Sequence, residues 1–253
     1  MDVCAYVAAL EREGSLMAAA ARAAGPDAGV PTCPDWTVRD LVRHTGGVHR
    51  WATRIVGDPR TAPWKDDLEL ISGGWPDDPD LPDWLAAGSA GLARVLGAAD
   101  PALHCWAFLP AASPLAMWAR RQAHETCVHR ADAELAAGRA ITPIAPEFAA
   151  DGLDELLTGF ITRQGGALRS PVPRLLQIDC ADTDARWVVR IGPDAPVTER
   201  GQDRAADADC TVTGPAADVY LALWNRRTAD DLAVAGERSV LDLFRGGLRV
   251  RWT

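Results

Sequence analysis

Apolar positions recur at three- and four-residue spacing through the first two thirds of the chain and alternate in the last third, predicting helices followed by a mixed segment. Residues from about Val3 to Ala24 carry an Ala-rich apolar stripe that stops before Gly25-Pro26. A second helix is expected to start at Thr37, whose hydroxyl can cap it while Asp40 answers three positions on, and to run to about Val56, before Gly57-Asp58-Pro59. Gly57 to Pro82 repeats Pro, Gly and Asp around Trp64 and Trp75 and reads as a long irregular crossover. Helices are expected over about Asp83 to Ala98, from Pro114 to about Ala137, and from about Pro146 to Thr162, with Asp100 to Ser113 an irregular connection.

After Gly165-Gly166 the period changes. Arg174 to Cys180 and Ala185 to Ile191 read as a strand pair around a turn at Ala181 to Asp184. Cys210 to Thr213 is a further strand, Pro215 opens a helix through Leu221 and Trp224, Leu232 to Ala235 reads as strand and Ser239 to Phe244 as helix, while Leu248 to Trp252 fits either. The expected fold class is therefore α+β, with a helical bundle over residues 1–167 and a small α+β domain over 168–253.

A chain of 253 residues that is 48% hydrophobic can bury a sizeable core. Its net charge of -9 and lack of a basic stripe oppose a nucleic-acid partner, because phosphate binding depends on clustered Lys and Arg. Lys65 is the one lysine among 26 basic residues, a usage that points to a high-GC genome. No secretory leader or membrane span is read, and the six cysteines lack a C-x-x-C pair, so a reduced cytoplasmic location is expected.

Glu125 and His129 lie four apart in the expected Pro114 helix, only about 40° apart around its axis, so both can face one cation. His44, in the helix after Thr37, is a third candidate ligand, and three protein ligands leave coordination positions open, as in a catalytic metal site. On spacing alone, a Glu and a His at this separation are more often a solvated pair. Asp132, three residues past His129, can orient its imidazole. His49 and His124 are turned away from the candidate ligands on their helices and read as surface or supporting residues, His104 as a weak cleft candidate. Trp36 and Trp118 read as core aromatics, and Cys127 as a structural residue.

Three segments carry a resemblance: Val30-Pro-Thr-Cys-Pro-Asp-Trp-Thr-Val-Arg-Asp-Leu-Val-Arg-His44, His124-Glu-Thr-Cys-Val-His-Arg-Ala-Asp-Ala-Glu134, and Asp218-Val-Tyr-Leu-Ala-Leu-Trp-Asn-Arg-Arg-Thr-Ala-Asp-Asp-Leu232 followed by Val234-Ala-Gly-Glu237. In their order and spacing the chain resembles the mycothiol-dependent maleylpyruvate isomerase-like family. The resemblance implies a DinB-like four-helix-type bundle with a sterol-carrier-like C-terminal domain, and places the family's metal ligands on His44, Glu125 and His129. It implies zinc, with iron(II) compatible with the same donors, and mycothiol as thiol cosubstrate. Arg226 or Arg227 matches an arginine expected to meet a substrate carboxylate, and Ala131 departs from a commoner aromatic, which bears on the pocket wall. The implied activity is thiol S-transfer to, or cis–trans isomerisation of, a small electrophile. Alternatives are a non-catalytic small-molecule or lipid-binding protein with a vestigial metal site, and a non-haem iron enzyme at the same triad.

Overall fold

The computed structural model describes residues 1–63, 67–163, 167–201, 205 and 207–248; Trp64, Gly165-Gly166 and residues 249–252 of the ambiguous segment lie outside these. The chain forms two units, Met1–Thr142 and Pro143–Thr253. The division falls ahead of the 167/168 position expected above, because the helix beginning at Pro146 packs in the second unit rather than the first.

In the first unit, α1 (Val3–Ala24) begins where the Asp2 carboxylate accepts the Ala5 N–H at 2.8 Å. A two-stranded hairpin follows, β1 (Gly29–Val30) and β2 (Cys33–Thr37). Thr37 ends β2 and caps α2 (Val38–Gly57): its side chain accepts the Asp40 N–H while the Asp40 carboxylate accepts the Thr37 N–H. The crossover holds a short helix, α3 (Leu68–Ser72), and a 3-10 turn, Asp78–Asp80, before α4 (Leu81–Ala98). α5 (Pro114–Ala136) starts at Ser113, whose hydroxyl accepts the Ala116 N–H.

The four long helices close a ring in which α1 packs on α4 and α5, and α2 packs on the same two. Met17, Ala18 and Ala21 of α1 meet Leu41 and Val42 of α2, Leu81 and Leu85 of α4, and Ala133 of α5 in one buried cluster. Contact between α2 and α4 is close at Gly46, where an added Cβ would stand 2.1 Å from the Trp84 ring. Arg50 lies over that ring at 3.7 Å and donates to the Trp84 carbonyl, a cation–π contact that holds the indole there.

α5 is unlike the other helices of the ring: 18 of its 23 residues are buried, so it has no broad polar face turned to water. Its charges are met internally. Arg130, fully buried, donates through Nε to Glu13 Oε2 of α1 at 2.7 Å, and through Nη1 to Glu134 Oε2 at 2.6 Å and to the Thr142 carbonyl at 2.9 Å. A buried charge of this kind is tolerated only when paired and hydrogen-bonded.

The second unit opens with α6 (Pro146–Asp154), which continues as a π-helical stretch, Glu155–Phe160. Its sheet comprises β3 (Arg174–Cys180), β4 (Arg186–Ile191), β5 (Val197–Arg200), β6 (Cys210–Gly214) and β7 (Ala233–Gly236), ordered β5-β4-β3-β6-β7. β3 and β6 are parallel and the other neighbours antiparallel. α7 (Ala216–Leu223) joins β6 to β7, and α8 (Arg238–Gly247) follows. Leu176, Ile178, Trp187, Val189 and Val212 are fully buried, as are Leu241 and Phe244 of α8. The Trp187 indole N–H donates to Asp154 Oδ1 at 3.0 Å, tying β4 to α6. The α+β class expected from the change of period is thus the observed one. No helix among the described residues is long and apolar enough to cross a membrane.

Candidate metal centre

His44 of α2 and Glu125 and His129 of α5 converge inside the first unit. His44 Nε2 stands 3.3 Å from Glu125 Oε1, and His129 Nε2 stands 3.2 Å from the same oxygen. One ligand-type atom from each residue lies within 4.8 Å of the other two. Among the described residues this is the one such group of three. Donors bound to a shared tetrahedral ion at about 2.0–2.2 Å lie about 3.3 Å from one another, so both separations to the carboxylate fit a common cation. Two imidazole nitrogens and one carboxylate oxygen are a donor set suited to zinc or iron(II).

Neighbouring groups orient the donors. His129 Nδ1 is 2.8 Å from Asp132 Oδ2, and Asp132 Oδ1 accepts the Thr32 hydroxyl at 2.5 Å. An Nδ1–H donated to Asp132 leaves Nε2 as the nitrogen that faces Glu125. On the other side, Arg121 Nη2 donates to Glu125 Oε2 at 3.1 Å, so the carboxylate's second oxygen is held from one turn back along α5. Burial disfavours the ionised Glu125, but hydrogen bonds from His129 and His44 and the charges of His129 and Arg121 outweigh it and hold the carboxyl well below its usual range. Burial likewise works against a charged His129, yet its bonds to Asp132 and Glu125 prevail and raise its pKa to about 9.

Trp36 packs against the buried core cluster, in line with a core aromatic, and also borders the candidate site. Half-buried at the end of β2, its ring lies 4.9 Å from the His44 ring and 6.2 Å from that of His129, nearly parallel to the latter at 28°. Trp118 is fully buried, as expected, and donates its indole N–H to the Trp106 carbonyl. His49 and His124 are fully buried rather than on the surface: His49 Nε2 meets the Thr126 hydroxyl at 2.8 Å, and His124 packs edge-on against Tyr6. Thr126 gives its own proton to the Gln122 carbonyl at 2.7 Å, so it accepts from His49 Nε2–H. His104 is exposed on its loop, outside the cluster.

Cys127 is fully buried, with Arg130 Nη2 3.7 Å from its sulfur; burial pushes its thiol above the ordinary range, and it is an inert core group. All six cysteines are free. Ala131 is fully buried two residues past His129, about 200° around the helix, so it does not line the site beside that imidazole. Arg226 and Arg227 follow α7 in the second unit. Arg226 Nη1 donates to the Trp224 carbonyl at 2.8 Å, and Arg227 pairs with Asp218 and, at 3.2 Å, with Asp231.

Arg121, Thr32 and Trp36 are supports that sequence reasoning did not assign. Arg121 carried a usable signal, its i,i+4 spacing to Glu125. Thr32 carried none, since it stands 100 positions from Asp132.

Residues 7–134 match the model of the mycothiol maleylpyruvate isomerase N-terminal domain, and residues 147–243 match that of the MDMPI C-terminal domain. No curated protein matches the chain. With both domains present in order, and with the bundle and sheet units described above, the chain belongs to the mycothiol maleylpyruvate isomerase family.

Proposed function

We propose that this chain is a mycothiol-using enzyme that holds a divalent cation, zinc first among the candidates, on His44, Glu125 and His129, and acts on a small electrophile by thiol S-transfer or cis–trans isomerisation. The observation that carries the reading is the approach of both imidazole Nε2 atoms to Glu125 Oε1 at 3.2 and 3.3 Å in a member of this family. When bound at such a centre with open positions, a divalent cation deprotonates a coordinating thiol and supplies a thiolate at neutral pH.

The chain's own residues prepare the place. Asp132 accepts the His129 Nδ1 proton and keeps Nε2 directed at the centre; Arg121 keeps one oxygen of Glu125 engaged so that the other faces the imidazoles. In isomerisation, the thiolate sulfur adds to one carbon of an activated cis double bond, the electron pair moves into the conjugated carbonyl, the new single bond rotates, and expulsion of the thiolate restores a trans double bond. In S-transfer the same sulfur forms a lasting C–S bond and the leaving group departs with its electron pair. A carboxylate on the electrophile calls for a cationic contact, assigned to Arg226 or Arg227. Arg226→Ala and Arg227→Ala are therefore both tested.

The test is incubation of the zinc-loaded protein with mycothiol and maleylpyruvate, and with a panel of electrophiles, followed by mass spectrometry and chromatography. Zinc-dependent isomerisation or adduct formation, lost in His44→Ala and His129→Ala, is the expected result. Absence of product across the panel, with stoichiometric zinc bound, favours a binding protein over an enzyme.

A further inference from the structure

We infer that the hairpin Gly29–Thr37 is a clamp on the metal centre, in which Thr32 positions His129 through Asp132 and Trp36 holds the plane of the His44 imidazole. The inference rests on the metal reading above and adds positioning residues to it.

The hairpin is joined to the helices on both sides of the centre. Thr37 is at once the last residue of β2 and the cap of α2, and the Val38 N–H donates to the Ala28 carbonyl at 2.8 Å, the Arg39 N–H to the Pro26 carbonyl at 2.9 Å. Its frame is therefore continuous with the helix that carries His44. From the turn between β1 and β2, Thr32 reaches α5 and donates to Asp132 Oδ1, while Oδ2 of the same carboxylate meets His129 Nδ1. Asp132 is fully buried, so fixing one carboxylate oxygen fixes the plane of the other and the direction of the imidazole it holds.

Trp36 acts on the same two ligands by packing. Its centroid separations of 4.9 and 6.2 Å from His44 and His129 lie in the range where aromatic pairs attract, and the two imidazoles stand edge-to-face to one another at 5.3 Å. Rotation of the nearer imidazole, that of His44, about its bond to Cβ is opposed by the indole centred 4.9 Å away. Thr32 thus sets one ligand by a hydrogen bond and Trp36 the other by shape, from one nine-residue segment that supplies no ligand itself.

The experiment measures zinc and cobalt(II) affinity of the full chain by competition with a chromophoric chelator, together with the visible spectrum of the cobalt form, for wild type, Thr32→Val, Thr32→Ser, Trp36→Phe and Trp36→Ala. Thr32→Val keeps the shape and removes the hydroxyl; it is expected to weaken zinc by about 10–100-fold, as loss of an outer hydrogen-bond partner does. Thr32→Ser restores near-wild-type affinity. Trp36→Ala weakens binding and alters the cobalt spectrum, and Trp36→Phe recovers most of both. Wild-type affinity and spectrum in Thr32→Val and Trp36→Ala overturn the clamp while leaving the metal reading intact; equal losses in Thr32→Val and Thr32→Ser overturn the Thr32 relay. A wild-type chain that binds neither ion overturns both.

Discussion

Arg121 and Glu125 form a buried ion pair one turn apart on α5, at 3.1 Å, with the guanidinium on the carboxylate oxygen that is turned away from the imidazoles. The charge that would receive a cation therefore already compensates a second buried charge. Glu125→Ala should both abolish zinc binding and destabilise the metal-free protein by about 1–3 kcal/mol, because a buried guanidinium N–H of Arg121 loses the acceptor it has in Glu125. His44→Ala should abolish zinc binding at a smaller cost in metal-free stability. Urea unfolding in the presence of chelator reads both; equal stability of Glu125→Ala and wild type would remove the pair's structural role.

Asp132→Asn keeps the shape beside His129 and replaces the carboxylate that holds its Nδ1 proton. Zinc affinity is expected to fall about 10–100-fold, with the fold retained by circular dichroism. An unchanged affinity would show that packing alone orients the ring.

His49 supplies a pH dependence. Burial drives its pKa down to about 3, opposed by the Glu125 charge, so the folded chain keeps it neutral while the unfolded chain protonates near pH 6.5. The contribution to stability is complete above about pH 6.5 and declines by about 1.4 kcal/mol per pH unit as pH falls toward 3, reaching a loss of about 2 kcal/mol at pH 5. His49→Gln preserves a donor toward Thr126 and should flatten this part of the profile, measured by urea midpoints between pH 7.5 and about 5 in chelator. Parallel profiles for the two proteins would contradict a neutral buried imidazole.

Gly46→Ala tests the close approach of α2 and α4. The new methyl would meet the Trp84 ring at 2.1 and 2.7 Å, and a helix-favouring substitution should instead destabilise by about 1–3 kcal/mol through overpacking. A rise in melting temperature would mean that Trp84 moves aside freely.

The long helices were legible because their signals are local: the Thr37–Asp40 capping box, Pro114 in the first turn of α5, and Gly25 after α1 each lie within a few residues of the boundary they set. The β3–β4 pair was legible from alternation and its turn. β5 was not, since Val197–Arg200 is a four-residue edge with little apolar content, and the β1–β2 hairpin was hidden by Pro31 and Pro34, which argue against strand. Within the site, Glu125, His129 and Asp132 share one helix face and could be grouped by spacing. That Trp36, besides packing against the core cluster, borders both imidazoles is not legible, because sequence position does not reveal which side of a hairpin meets an imidazole; the burial of His124 follows from α5 being enclosed, which its polar composition conceals, and that of His49 from α2 packing on α5.

That enclosure gives α5 a fixed azimuth. His129 and Arg130 are adjacent and project about 100° apart, the first toward α2 and the second into the pairs with Glu13 of α1 and Glu134. A turn of the helix about its own axis large enough to shift the imidazole would unseat a guanidinium that has no water to replace its partners. The rotational setting of Glu125 and His129 is thus keyed by charges that touch neither side chain, and a substitution at Glu13 would be felt at the candidate centre.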